Sequence, residues 1–396
     1  MRLSFCMIVK NEAENLARCL ASVQPIADEL IVLDTGSTDD TVAIAESLGA
    51  SVHHFTWTND FSAARNYALQ FVSGDWVLVL DADEVLVPEV VPALKQAMQQ
   101  KNALVINLIR QEVGATQSPY SLVSRLFRRH PQVYFSRPYH AMVDDSVAAL
   151  RQTEPHWQVV NCAQVAILHY GYEPGAIASR NKLEKARSTM EEFLAAHPND
   201  PYVCSKLGAL YGRMGDWQRG MVLLQQGLSQ PTDAPVCYEL HYHLGIAYSQ
   251  LNDDQQAELH YRNAIAQPIL DSLKLGAYNN LGNLLQARGD FIHAEQLYRT
   301  CLTIDPNFAI GHYNLGMILK AMGQMEAAVA HYQTAIQLNP NYAEAYQNLG
   351  VVLLKLGNVP QSLAAFRQAI QFHKQQNNLS EAKRLQQGLA EMGFQV

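Results

Sequence analysis

The sequence predicts an α/β domain built on a mostly parallel sheet, followed by an all-α solenoid. Three observations carry this. Over residues 1–174 short apolar runs alternate with helical patterns. Beyond residue 202 a glycine recurs at a near-constant interval. A chain of 396 residues is also too long for one ordinary core.

In the first domain "LSFCMIVK", "ELIVLDT", "ASVHHF", "WVLVLDA" and "ALVINLI" read as strands, and 12–24, 38–48, 60–72 and 88–100 as helices. Strands separated by helices pair through crossovers, so the sheet should be mostly parallel and covered on both faces. Residues 175–201 read as a helical connector.

The solenoid follows over 202–374. Gly208, Gly245, Gly282, Gly316 and Gly350 are 37, 37, 34 and 34 residues apart, and seven residues after each stands Gly215, Asn252, Gly289, Gly323 or Gly357. Leu315, Ala328, Tyr332, Ala335 and Pro340 surround Gly316; Leu281, Ala294, Tyr298 and Pro306 surround Gly282. Small residues let antiparallel helices approach, an aromatic fills the gap, and proline stops the second helix. The segment resembles the tetratricopeptide repeat, which implies about five stacked helix pairs with a concave face. The first units are irregular, with Gly220 where alanine is usual, and 375–396 has the polarity of a capping helix.

Composition narrows the function. Lys and Arg number 29 against 37 Asp and Glu, a formal charge of −8, so nucleic acid is not an expected partner. Six scattered cysteines contain no C-x-x-C pair, which suits a reducing cytoplasm. The apolar run in "MRLSFCMIVKNE" is too short for a leader core or a membrane span and reads as a first strand. We therefore expect a cytoplasmic protein, or one peripheral at the inner face of a membrane, with no transmembrane segment.

The chemistry is expected where "GDWVLVLDADEVLV" runs from Trp76, Val77, Leu78, Val79 and Leu80 into Asp81, Asp83 and Glu84. In an open α/β sheet ligands lie beyond the carboxyl ends of the strands. Carboxylates at i and i+2 on extended chain project to one side and suit Mg²⁺ or Mn²⁺ carrying a diphosphate.

"CMIVKNEAENLARCLASV", "DELIVLDTGSTDDT", "NDFSAARNYAL" and "GDWVLVLDADE" occur in an order that resembles the family 2 glycosyltransferases of GT-A fold, a Rossmann-like α/β layout. The likeness is to the branch containing lipopolysaccharide-core glucosyltransferases and peptide S-glycosyltransferases. It implies that Asn11 and Glu12 line a nucleotide pocket, although Asn11 reads equally as a helix cap. It implies that Asp34 accepts a hydrogen bond from uracil or ribose. Arg65 would hold phosphate or stack on a base, against the plainer reading of a surface salt bridge. Asp81 would face ribose and metal, and Asp83 would ligate the metal directly. Glu84 would hold Arg65 or cap the next helix. Ser37 and Asp39 read as turn and cap residues.

"RLFRRHPQVYFSRPYHAMVDDS" resembles the family segment in which a His-Glu pair follows an arginine-rich strand, yet His140 precedes Ala141. Glutamate would be the general base there; Asp144 or Asp145 is the replacement candidate, each weighed against a solvated loop carboxylate. His169 in "AILHYGYEP" matches a family His-x-Gly-Tyr segment, which implies a place in the metal shell, against the plainer reading of a packed histidine. Arg125, Arg128, Arg129 and Arg137 form a basic cluster suited to diphosphate or an acidic acceptor, or to a solvated strand face. His53 and His54 carry no assigned chemistry.

The expected function is a metal-dependent inverting transferase that moves glucose or N-acetylglucosamine from a UDP-sugar to a protein, peptide or glycan. The repeats would recruit acceptor or a protein partner. The alternative is a catalytically inactive scaffold acting through its repeats, prompted by Ala141. A nucleotidyltransferase is weaker, because "DTGSTDDT" lacks a Gly- and Arg-rich phosphate loop.

Overall fold

The computed structural model describes residues 1–115, 117–139, 141–171 and 180–394. The chain opens with β1 (Leu3–Val9), α1 (Leu16–Val23), β2 (Glu29–Asp34), α2 (Thr41–Ser47), β3 (Ser51–His54) and α3 (Phe61–Ala68). There follow β4 (Trp76–Val79), β5 (Glu84–Leu86), α4 (Val91–Met98), β6 (Ala103–Glu112), β7 (Tyr120–Arg128), α5 (Asp144–Thr153) and β8 (Gln158–His169). Helices α6 (Arg180–Ala196) and α7 (Pro201–Arg213) complete a compact unit that ends at Gly215.

The strands lie in one sheet of order β3-β2-β1-β4-β7-β6-β8-β5. Strand alternation explains the continuous apolar runs, because both faces are covered. Trp76, Leu78 and Leu80 enter a core that also takes Leu16 and Leu20 of α1 and Leu94 of α4. Val77 and Val79 enter a second core with Ala64 and Ala68 of α3 and Val147 and Leu150 of α5.

From β3 to β4 the sheet is parallel, as expected. Beyond β4 it is mixed, because β7 runs antiparallel to both β4 and β6. The cause is local: β6 and β7 are joined by a connection too short for the crossover that parallel pairing needs. Strand β8 returns parallel to β6, and the short β5 closes the edge antiparallel to β8.

Although the sequence period changes at 174, α6 and α7 belong with the sheet unit. Arg137 supplies one anchor: its Nη1 donates to Asp200 at 2.7 Å, and its guanidinium lies over the Tyr202 ring at 4.7 Å. Asp200 is also the N-cap of α7, accepting from Val203 N.

The second unit, from Asp216, contains α8 (Trp217–Leu228), α9 (Ala234–Gln250), α10 (Asp254–Ile265), α11 (Leu275–Ala287) and α12 (Phe291–Ile304). It continues with α13 (Ala309–Ala321), α14 (Met325–Leu338), α15 (Ala343–Lys355), α16 (Val359–Gln375) and α17 (Leu379–Glu391). The repeating glycines let helices meet. A Cβ on Gly245, Gly282 or Gly316 would sit 2.5, 2.6 or 2.8 Å from the ring of Tyr261, Tyr298 or Tyr332. Asn252, Gly289, Gly323 and Gly357 end their helices with φ between +60° and +80°, the left-handed turn that glycine and asparagine tolerate. No helix among the described residues is long and apolar enough to cross a membrane.

Candidate active site

After Leu80 the chain leaves the sheet in a tight turn, with Glu84 N donating to Asp81 O at 3.0 Å. Glu84 is fully buried, and its Oε2 accepts from Asp81 N at 2.9 Å. Glu84 therefore shapes the acidic turn. It holds Arg110 rather than Arg65, with Arg110 Nη1 donating to Oε1 at 2.8 Å.

Two guanidiniums hold Asp81. Arg65 Nη2 donates to Oδ1 at 2.8 Å and Arg125 Nη2 to Oδ2 at 2.7 Å. Burial works to raise the Asp81 pKa, but Arg125 and Arg65 hold its carboxyl well below the usual carboxylate range. Arg65 is 7% exposed, so it is not a surface partner; its Nη1 also donates to Ala141 O at 2.9 Å. Helix α3 delivers it, started by Asp60, which accepts from Ser62 N and Ala63 N. Burial, then neighbouring Arg125, brings Arg65 down to about 10.

Asp83 has a different environment. Its side chain is 35% exposed, and Oδ2 lies 3.2 Å from His169 Nε2. The other imidazole nitrogen, Nδ1, donates to Glu112 Oε2. Strand register creates this meeting: His169 on β8 stands opposite Glu84 on β5 and Glu112 on β6. Burial disfavours charge on His169, but hydrogen bonds to Asp83 and Glu112 outweigh it and raise the imidazole to about 9.

A glycine packs against this contact between Asp83 and His169. A Cβ on Gly171 would lie 2.6 Å from His169 Nε2 and 3.2 Å from Asp83 Oδ2. Among the described residues no group of three His, Cys, Asp or Glu side chains could hold a metal alone. Asp83 and His169 instead offer one oxygen and one imidazole donor across a space closed to any side chain at 171. Such a partial set fits Mg²⁺ or Mn²⁺ completed by diphosphate oxygens and water. Each oxygen of Asp81 is already bonded to an arginine, whereas among the described residues neither oxygen of Asp83 is.

On the β2 side Asp34 is buried and folds its own loop. It accepts from Gly36 N at 3.1 Å and Ser37 N at 3.0 Å, with His54 Nδ1 at 3.4 Å. Burial pushes its pKa up, while the Ser37 and Gly36 hydrogen bonds bring it below the ordinary value. Asn11 is not a helix cap: with φ of 55° it ties β1 to this loop, accepting from Thr38 N at 2.8 Å. Glu12 N donates to Thr41 Oγ1 at 2.8 Å, and Glu12 Oε2 accepts from Asn15. Asp39 accepts from Thr41 N and Ser37 Oγ from Asn11 N, as the turn reading expects.

Asp144 and Asp145 differ from each other. Asp145 accepts from Arg137 Nε at 3.0 Å and Nη2 at 3.1 Å, and from Ser136 Oγ. Burial would raise its pKa, but the Arg137 and Ser136 bonds lower it, leaving a weak base. Asp144, exposed at the start of α5, accepts from Ser124 Oγ at 2.7 Å. His140 lies outside the described residues, as do Tyr172 and part of the connector. Ala141 is buried in the apolar cluster containing Phe135 and Val143.

The four arginines of "RLFRRHPQVYFSR" are not a patch. Arg125 serves Asp81, Arg128 donates to the carbonyls of Ala103 and Gln100, Arg129 to that of Gly74, and Arg137 to Asp145 and Asp200. His53 stacks on Phe71. Sequence reasoning missed Arg110 and Glu112. The signal was present in "INLIRQE", where two charges at i and i+2 end an apolar strand as Asp81 and Asp83 follow another.

Comparison with known proteins agrees with this layout. Residues 4–160 match "Glycosyl transferase family 2". Tetratricopeptide repeat patterns match 238–266, 276–308, 297–330, 316–357 and 343–376. A TPR repeat-containing protein of Synechococcus elongatus is 45% identical over 306 residues, covering 77% of this chain and 76% of that protein. The SPbeta prophage-derived glycosyltransferase SunS of Bacillus subtilis is 29% identical over 206 residues, and the match spans 49% of this chain and 46% of that relative. Among solved structures, YrrB, described as a TPR protein with an unusual peptide-binding site, is 17% identical with a TM-score of 0.39 and covers 50% of this chain and 100% of its own.

Proposed function

The chain belongs to glycosyl transferase family 2 and carries C-terminal tetratricopeptide repeats; on that premise we propose that it is an active, metal-dependent, inverting glycosyltransferase. Its donor is a UDP-sugar, glucose or N-acetylglucosamine, and its acceptor a protein, peptide or glycan. The observation that carries this reading is Asp83 facing His169 across the space at Gly171, beyond the end of β4.

Asp83 and His169 would hold Mn²⁺ or Mg²⁺, with His169 giving up its Nε2 proton, since ligands bind deprotonated. A cation held there would supply charge neutralisation as UDP departs. Asp81, fixed by Arg65 and Arg125, presents an immobile edge to the ribose. Asp34 acts by holding the Gly36–Ser37 loop in shape, with Asn11 and Glu12 tying β1 and α2 to it. A pocket fixed before substrate arrives does not reorganise at the moment of reaction.

Displacement at the anomeric carbon needs a group to take the acceptor's proton. Asp144, bonded to Ser124, and Asp145, bonded to Arg137, are the candidates. A glutamate at 141 is not needed for the fold, which uses that position's carbonyl and buries its methyl. Six free thiols support a reducing compartment, and the repeats would recruit the acceptor or a partner protein.

The test is incubation of the full chain with a panel of UDP-sugars and Mn²⁺, scoring UDP release with and without peptide and glycan acceptors. Release with one sugar, dependent on metal, is the expected result. UDP binding without turnover across the panel would favour the inactive scaffold.

A further inference from the structure

The contacts around His169 form a closed circuit. Asp83 Oδ2 meets His169 Nε2, and His169 Nδ1 donates to Glu112 Oε2. Glu112 Oε1 accepts from Arg110 Nε at 2.9 Å and Nη2 at 2.8 Å. Arg110 Nη1 donates to Glu84 Oε1, and Glu84 Oε2 accepts from Asp81 N. The circuit thus leaves the Asp81–Asp83 turn at one end and re-enters it at the other.

Glu112 is built for a fixed position. It is 7% exposed, and Ser121 Oγ donates to Oε1 at 2.9 Å, so Oε1 is taken by Arg110 and Ser121 while Oε2 is left to the imidazole. A carboxylate can only accept here, so Nδ1 must carry a hydrogen and Nε2 is the nitrogen that faces Asp83. Gly171 blocks the alternative of filling the gap with a side chain.

We propose that Glu112, held by Arg110, is a positioning residue for the donor site: it fixes the ring of His169 so that Nε2 faces Asp83 at the place a divalent cation occupies. This rests on the metal-dependent reading above, but the geometry of the ring does not. A partner of this kind fixes both tautomer and orientation, and its loss weakens metal binding without removing a ligand.

The experiment is a double-mutant cycle on the full chain with Glu112→Gln, His169→Ala and the pair, each checked for native circular dichroism. Mn²⁺-dependent UDP binding is read by calorimetry. Glu112→Gln should weaken it by about 10–100-fold, and adding Glu112→Gln to His169→Ala should cost nothing more. Additive losses, or unchanged binding in Glu112→Gln, would overturn the proposal.

A second readout needs no metal. The Nδ1 proton shared with Glu112 should give a low-field proton resonance, absent in His169→Ala and in Glu112→Gln. If that resonance behaves so while wild-type UDP binding ignores Mn²⁺, the positioning role stands and the metal reading fails. Glu112→Asp, which keeps charge but shortens the reach, serves if the glutamine variant does not fold; it should shift the resonance and weaken Mn²⁺-dependent binding, and no change in either contradicts the role.

Discussion

The two units handle polar side chains in opposite ways. In the sheet unit, charges from β5, β6, β7, β8 and α3 converge on the turn that follows β4, and they do so through partners far along the chain. Arg110 lies 26 residues from Glu84, Arg125 lies 44 from Asp81, and His169 lies 57 from Glu112. In the repeat unit the important contacts recur at one spacing, each between a glycine and the ring packed on it. The first arrangement concentrates charge and mutual dependence at one place; the second spreads stability over neighbouring repeats.

The sharpest way to break this contrast is Asp83→Asn. It removes the open carboxylate without touching the Arg65 and Arg125 pairs, so UDP release should fall by roughly 10²–10³-fold while the melting temperature stays near wild type. A large drop in stability instead would mean that Asp83 is structural.

Arg125→Met attacks the same turn from its structural side. Asp81 would keep Arg65 but lose a charge partner, and because its side chain is 38% exposed the cost is softened from that of a fully buried pair. Urea denaturation should show a loss of about 2–3 kcal/mol. A change within error would show that Arg65 alone suffices.

Gly282→Ala tests the other unit. Its methyl would press on the Tyr298 ring, and overpacking of this kind costs about 1–3 kcal/mol. Calorimetric UDP binding should be unchanged, whereas loss of binding would tie the repeats to the donor site.

The smallest effect is a difference in acid response. Burial, reinforced by neighbouring His241, pushes the His260 imidazole down from 6.5 to about 4. Its Nδ1 lies 2.9 Å from that of His241, and His312 and His331 repeat the arrangement at 3.0 Å. As pH falls the unfolded imidazole takes its proton first, so the stability gained from a neutral His260 is lost between about 6.5 and about 4. Asp81 behaves otherwise: its carboxyl is held below the ordinary value of 3.8, so its contribution is full above that value and is lost only as pH falls below it. Melting curves across this window should be flatter for His260→Leu than for wild type; identical slopes would remove the imidazole as the cause.

What the sequence revealed follows the same division. The helix pairs were legible because glycine, ring and left-handed turn lie within one repeat, and Asn252 was readable as a stand-in because asparagine tolerates that turn. Strands β1, β2 and β4 were legible from their apolar runs. The acidic turn was legible because such a run ended in carboxylates.

Which carboxylate stays open was not legible. Asp81 and Asp83 look alike in sequence, and arginines on α3 and β7 distinguish them. Asp144 and Asp145 look alike too, and Arg137 takes the second. The four arginines after β6 read as a cluster or a solvated strand face because they are neighbours in sequence, but alternate residues of a strand point to opposite faces.

Under the proposed function, Asp83 and His169 make donor binding depend on a divalent cation. Calorimetric titration of UDP into the full chain, with Mn²⁺ and with chelator, tests it most directly. Binding should be at least about tenfold tighter with Mn²⁺, and that gain should vanish in Asp83→Asn. Equal affinity with and without the cation in the wild-type protein would contradict the assignment.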